Sequence, residues 1–312
     1  MPARLFHRMI SSLPVRVLLL ALGLGTVASA FDPRTLLLLD GATAGPAIVA
    51  VGERGTIVRS TDGARGWTQV PSGAAATLTG IAFAPDARHG WAVGHDALIL
   101  ATTDGGLTWQ RQWQGTNLEE SFLDVLALDA QHAIAVGAYG LYLSTGDGGR
   151  TWERRRLGDE DYHFNRITRG PGGTLYLAGE RGTLLRSRDA GHTWDRIDSP
   201  YDGSFYGILP LGERELLAHG LRGRIYRSED DGASWTLVPN EQRVLVATAA
   251  RLGPRTIVFG GQSRALFVSR DGGRTVTAWT PGFTTAVAEL LPLPDGRVLA
   301  LGEAGAAVLP AP

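Results

Sequence analysis

The sequence predicts an all-β fold, a seven-bladed β-propeller of four-stranded antiparallel blades whose last blade is incomplete. Three observations carry this. A string of the form S-x-D-x-G-x-T-W recurs along the 312 residues, as in T-T-D-G-G-L-T-W at 102–109 and S-R-D-A-G-H-T-W at 187–194. Its aspartates, Asp62, Asp104, Asp147, Asp189, Asp230 and Asp271, lie 42, 43, 42, 41 and 41 residues apart. Finally, Gly52, Gly94, Gly137, Gly179, Gly220 and Gly261 each stand ten residues before their aspartate, and Gly302 continues the series in a seventh unit. A fixed period near 42 residues is the signature of a repeat architecture, and a unit of that length holds four short strands.

Each unit divides in the same way. In the fourth, Phe164–Thr168 reads as the first strand, Thr174–Ala178 as the second, Gly182–Ser187 as the third and Trp194–Ile197 as the fourth. The box falls between the third and fourth strands. Its Asp is placed to accept backbone N–H groups inside a tight turn, and its Gly takes a backbone shape that other residues resist. Trp67, Trp109, Trp152, Trp194 and Trp235 close the boxes and are expected to enter the apolar layer between blades. Six carboxylates repeated in six units are a structural device; catalysis needs a unique constellation. Three boxes or units depart from the pattern. Ala64 replaces the box Gly and Gly66 the Thr, Val276 replaces the Trp, and the seventh unit carries no box. A three-stranded last blade is therefore expected. With the first strand placed at Thr35–Leu39, Phe31 to Arg34 are too few to close the ring as an extra strand.

Composition narrows the class. Cysteine is absent, which excludes disulfides, thiolate nucleophiles and cysteine-bound metals. All 30 basic residues are arginine, so every positive side chain is a planar, permanently charged fork. Arg4, Arg8 and Arg16 precede an apolar run from Val17 to Val27 and the small-residue string Ala28-Ser29-Ala30, the pattern of a cleaved export signal. The expected organisation is a leader over 1–30 and one propeller over 31–312, exported to a periplasmic or other extracytoplasmic space and soluble there. Without the leader 27 basic residues face 31 acidic ones, a balance that gives no sign of nucleic-acid binding.

The boxes resemble those of Asp-box, or bacterial neuraminidase repeat, propellers. The string V-G-E-R-G-T-I-V-R-S-T-D-G at 51–63, in a single seven-unit domain, is similar to the photosystem II stability and assembly factor family. The resemblance covers residues 36 to 309. It implies a non-catalytic extracytoplasmic scaffold that holds a segment of a membrane protein. An arginine-lined patch on such a scaffold is part of what the resemblance implies.

Catalytic constellations are scarce. A sialidase-like site would need an Arg-Ile-Pro string ahead of the first box; the nearest strings, Arg166-Ile167-Thr168 and Arg196-Ile197-Asp198, stand elsewhere. Acids off the repeat, Glu119, Glu120, Asp124, Asp159, Glu160, Asp161, Asp202 and Glu289, leave a two-carboxylate hydrolase or a lectin open as the alternative. Solvated loop charges are the simpler reading of most of them. The histidines, His95, His163 and His219 among them, show no metal-ligand spacing and read as turn or strand-surface imidazoles. No catalytic residue, metal or cofactor is therefore expected.

A binding face is legible instead. In a propeller the hairpins between second and third strands share one face with the blade-to-blade connections, opposite the boxes. Those hairpins place Arg54, Arg181 and Arg222 at one repeat slot, with Arg264 one residue on and Tyr139 in the third unit. The connections add Tyr162 and Tyr206. Arginine and tyrosine are enriched at interface hot spots, and a guanidinium grips a carboxylate with two bonds. These seven residues are the candidate site for an extracytoplasmic segment of a membrane protein, bound by a monomer. Pairing of each Arg with a neighbouring Glu is the plain alternative.

Overall fold

The computed structural model describes residues 32–312; the leader expected over 1–30 lies outside them. Seven antiparallel sheets follow one another along the chain, six of four strands and a last one of three. The inner strands, one per blade, are Leu38–Ala44, Leu78–Phe83, Phe122–Ala127, Phe164–Arg169, Phe205–Pro210, Val246–Arg251 and Val287–Pro292. Strand order within every sheet is the order in sequence, so each blade is a plain meander.

The fourth unit forms strands at Phe164–Arg169, Leu175–Gly179, Leu184–Ser187 and Asp195–Arg196, within two residues of the expected bounds. The first strand is displaced. Expected at Thr35–Leu39, it runs from Leu38 to Ala44, because Pro33–Thr35 form a 3-10 turn whose start is capped by the Asp32 carboxylate. Proline early in the turn has no N–H to lose.

The core is a set of apolar layers between neighbouring blades. Trp109 packs with Val49, Val51 and Ile57 of the first blade and Leu98 and Leu100 of the second. The box turn brings it there. Asp104 Oδ1 accepts from the N–H groups of Leu107 and Thr108, both at 3.0 Å, and Oδ2 accepts from the Thr108 hydroxyl at 2.6 Å. Burial opposes the charge, but the bonds from Thr108 and Thr102 outweigh it and hold the carboxyl at about 2. Gly106, at φ +80°, completes the turn; a side chain there would be strained and would meet Val49 at 3.0 Å. Asp147, Asp189, Asp230 and Asp271 repeat the two-oxygen arrangement with Thr151, Thr193, Ser234 and Thr275. At Asp62, where Gly66 replaces the Thr, only backbone N–H groups remain on the carboxylate from that side of the turn.

The ring closes by face packing. Leu38, Ile48, Ala50 and Val58 of blade one join Leu293, Leu299 and Leu301 of blade seven in one cluster.

Candidate partner-binding face and the polar layer at its centre

Backbone bonds fix which loops share a face. The N–H groups of Glu53, Ala138, Glu180 and Leu221, at the start of the hairpins, bond Leu37, Ser121, His163 and Ser204, the residues that lead into the inner strands of the same blades. The hairpins also reach the next blade: Gly140 N–H bonds Tyr162 O, and Gly182 N–H bonds Gly203 O. On the opposite face the box turns bond the first hairpins, as Gly105 N–H does to Arg88 O.

The repeated slot has an unusual backbone. Arg54, Tyr139, Arg181 and Arg222 all lie in the left-handed region, at φ 53°, 54°, 48° and 57°, each followed by a left-handed Gly. Two such residues in succession make a type I′ turn, the connection that suits the twist of a hairpin, and Asn or Gly is its usual first residue. In blade six the slot holds Ser263, and Arg264 beside it takes the second left-handed position at φ 66°. A bulky side chain in this region costs roughly 1–2 kcal/mol.

The seven candidate residues do not form one cluster. Tyr139, Tyr162 and Arg181 come together between blades three and four. The Arg181 guanidinium lies 5.7 Å from the Tyr162 ring centre, and Tyr139 packs edge-on against His163 at 4.7 Å. Glu180 supports the group by accepting from His163 N–H at 3.1 Å. Tyr139 is 66% exposed. Tyr206 is half-buried on an inner strand, and burial together with Glu180 raises its hydroxyl above the ordinary tyrosine range. Arg54 stands apart with an 88% exposed side chain, 3.9 Å from Glu53. Arg222 and Arg264 are exposed and make no ion pair among the described residues. A second aromatic–cation pair lies near Arg222, where Arg224 covers the Tyr201 ring at 5.8 Å.

A layer of residues that sequence reasoning missed lies at the centre of the ring. Each inner strand carries a β-bulge near its start, and the residues just past the bulges are Asp40, Gly80, Asp124, Arg166, Gly207, Thr248 and Glu289. Arg166 Nη2 hydrogen-bonds Glu289 Oε2, while Asp40 and Asp124 lie 3.7 and 3.9 Å from the same guanidinium. Thr248 Oγ1 donates to Glu289 Oε1 at 2.7 Å. Asp40 Oδ2 accepts from Ile81 N–H and Asp124 Oδ2 from Ile167 N–H, both at 2.8 Å, so each carboxylate also ties its blade to the next. Asp124 and Glu289, expected as solvated loop charges, are strand residues buried to 4% exposure. His219, expected at a surface, is equally buried; its ring faces Gly207, whose missing side chain leaves it room, and bonds Val246 O.

Three carboxylates thus share one guanidinium. Burial pushes Asp40 well above the usual carboxylate range and Asp124 up to about 6, against the pull of Arg166. Burial also works against the charge of Arg166, yet Glu289, Asp124 and Asp40 hold it above the ordinary arginine range. His219 is pushed down to about 4 by burial and is neutral at pH 7. A signal for this layer was present: one column of the repeat alignment reads D, G, D, R, G, T, E amid apolar residues.

Residues 59–117 and 110–306 match the model of the family described as photosynthesis system II assembly factor YCF48. The chain belongs to that family. The fold of this family member is similar to a structure of YCF48 bound to D1 peptide, with a TM-score of 0.74 and 22% identity over 90% of this chain and 95% of that one. YCF48 from Cyanidioschyzon merolae gives a TM-score of 0.74 at 17% identity, over 91% of this chain and 98% of the other. The WD40 propeller domain of Doa1 matches at 0.68 and 11% identity, over 88% and 93% of the two chains. At such identities the likeness is one of fold. No curated protein matches the sequence.

Proposed function

We propose that this chain is a non-catalytic, extracytoplasmic scaffold that holds a carboxylate-bearing segment of a membrane protein against its hairpin face. The observation that carries the reading is the repeated slot. Arg54, Tyr139, Arg181 and Arg222 occupy left-handed positions where Gly or Asn would relieve strain, and their side chains gain little folding energy in return, Arg54 being almost fully exposed. Strained, solvent-facing Arg and Tyr at corresponding hairpins form an arc of anchors suited to an acidic ligand. Family membership supports the reading, and so does the D1 peptide bound to one structural neighbour, which makes a peptide segment the expected form of the ligand. The buried carboxylates at the centre of the ring are tied to backbone amides, Thr248 and Arg166, the arrangement of a structural clasp.

The test is the quadruple variant Arg54→Ala, Arg181→Ala, Arg222→Ala, Arg264→Ala. Its Tm should stay within a few degrees of the parent, while recovery of membrane partners from solubilised membranes falls sharply and raised salt reproduces the loss. Undiminished recovery would move the docking site off the hairpin face. Release of reducing sugar from glycans by the purified protein would overturn the scaffold reading.

A further inference from the structure

Among the described residues no strand covers the outer edge of blade seven, and the geometry points to this edge as a strand-addition site for an extended segment of the partner. The inference rests on the scaffold reading above and adds a second contact of different chemistry.

In the six complete blades the fourth strand covers the outer edge of the third in one register, interrupted by a bulge only in blade two. Blade one shows it: Arg59 pairs with Thr68, Val58 with Gln69, and Val70 N–H bonds Ile57 O at 2.9 Å. The last of these bonds recurs from Ile197 to Leu184, from Val238 to Ile225 and from Trp279 to Leu266. Blade seven ends its sheet at Gly305–Leu309, where no described strand pairs with the outer edge. Its pairing of Leu301 with Ala306 corresponds to that of Val51 with Ile57, so Ala306 and Val308 turn their N–H and C=O groups outward.

This edge is less buried than its counterparts in the other blades. The residues at the slot of Ala306 in the other blades, Ile57, Ile99, Tyr142, Leu184, Ile225 and Leu266, are buried to 3% exposure or less. Ala306, Ala307 and Val308 are all partly exposed. The strand G-A-A-V-L carries no charge and no proline between its ends, the devices by which proteins protect open edges.

The fold itself specifies the occupant. In blades one, four and five the fourth strand places two solvent-facing residues opposite the third strand and then buries an apolar one, Val70, Ile197 or Val238. A ligand for the slot is therefore an extended segment of two solvent-facing residues followed by an apolar one such as Val or Ile, running antiparallel to Gly305–Leu309. The slot is continuous with the hairpin face. The turn at Glu303 that leads into it bonds Ala286 O as the other hairpins bond their inner strands, and blade seven stands between the blades of Arg264 and Arg54. One extended segment can pair with the edge and present its acidic part to the arginines.

The probe is a labelled peptide copying residues 66–72, G-W-T-Q-V-P-S, added to the purified full chain. Saturable binding is expected by fluorescence anisotropy. Aspartate in place of the peptide's valine should weaken it at least tenfold, and so should Val308→Pro in the protein, which removes an outward N–H and leaves the pairing with the second strand intact. The quadruple arginine variant should bind this uncharged peptide as the parent does, which separates the slot from the arc. In a membrane pull-down, excess peptide should displace the partner from the parent protein, a readout that needs no variant. Absent binding, binding indifferent to Val308→Pro, or a partner that excess peptide leaves in place would overturn the proposal. A dimer that Val308→Pro dissolves would assign the edge to a second copy and overturn it equally.

Discussion

Arg166 of blade four hydrogen-bonds Glu289 of blade seven, 123 residues away, and the same guanidinium faces Asp40 of blade one and Asp124 of blade three. The blades on either side of the seam between the two ends of the ring are thus held to its middle through one side chain. This clasp supplements the apolar packing of Leu38 and Val58 of blade one against Leu299 and Leu301 of blade seven, whose sheet has three strands among the described residues.

Removing the guanidinium should cost more than the bond it makes. Arg166→Met leaves three buried carboxylates without a counter-ion, and breaking a buried ion pair from one side costs about 3–5 kcal/mol. The Tm of Arg166→Met should fall strongly, and Glu289→Gln added to it should recover part of the loss. A single variant as stable as the parent would show that protons alone balance the layer.

The same layer predicts a pH dependence. Asp124 titrates at about 6 in the folded chain and near 3.8 when unfolded, so between those values the folded state holds more protons and stability falls as pH rises. Asp124→Asn, which imitates the protonated form while giving up part of the bonding to Ile167 and Val125, should gain on the parent from pH 4 to pH 6. The gain is on the order of 2–3 kcal/mol at most, at 1.36 kcal/mol per pK unit. Thermal melts of both proteins across that range provide the check; a constant difference would mean that Asp124 is already ionised at pH 4.

The box aspartates behave with the opposite sign. Asp104 is held at about 2, so its contribution is complete above pH 4 and is lost as pH falls toward 2. Asp104→Ala should lower the Tm by several degrees at pH 7 and by much less at pH 2.5. Partner binding by the folded variant should be unchanged, because the boxes face away from the hairpins.

Trp152, 8% exposed between blades two and three, should be among the most costly truncations. Trp152→Ala is expected to destabilise by about 3–5 kcal/mol, measured by denaturant unfolding. Val276, which stands at the Trp position of blade six and packs with Leu217 and Phe267, should cost far less as Val276→Ala.

The seven blades, their order, the box turns and the three-stranded last blade were all legible in the spacing of Gly52, Asp62 and their repeats. A structural period imposes the same backbone demand in every unit, so its glycines and aspartates recur where a single sequence shows them. The register of the first strand was misplaced because an Asp32-capped turn and an apolar strand compete for the same short leucine-rich stretch. The hairpin slot was readable as a column of arginines, but its left-handed backbone and the meeting of Tyr139, Tyr162 and Arg181 across two blades depended on the closed ring. The central layer left a trace in one polar column of the repeat, but its burial and pairing depended on the closed ring. Asp40, Asp124, Arg166 and Glu289 are spread over 250 residues, and nothing local distinguishes a carboxylate on a strand surface from one aimed at the axis. Sequence determined each blade through local turn chemistry and apolar alternation. Closure of the ring decided which charges share a low-dielectric centre, because burial and pairing are properties of the assembled blades and of no one of them.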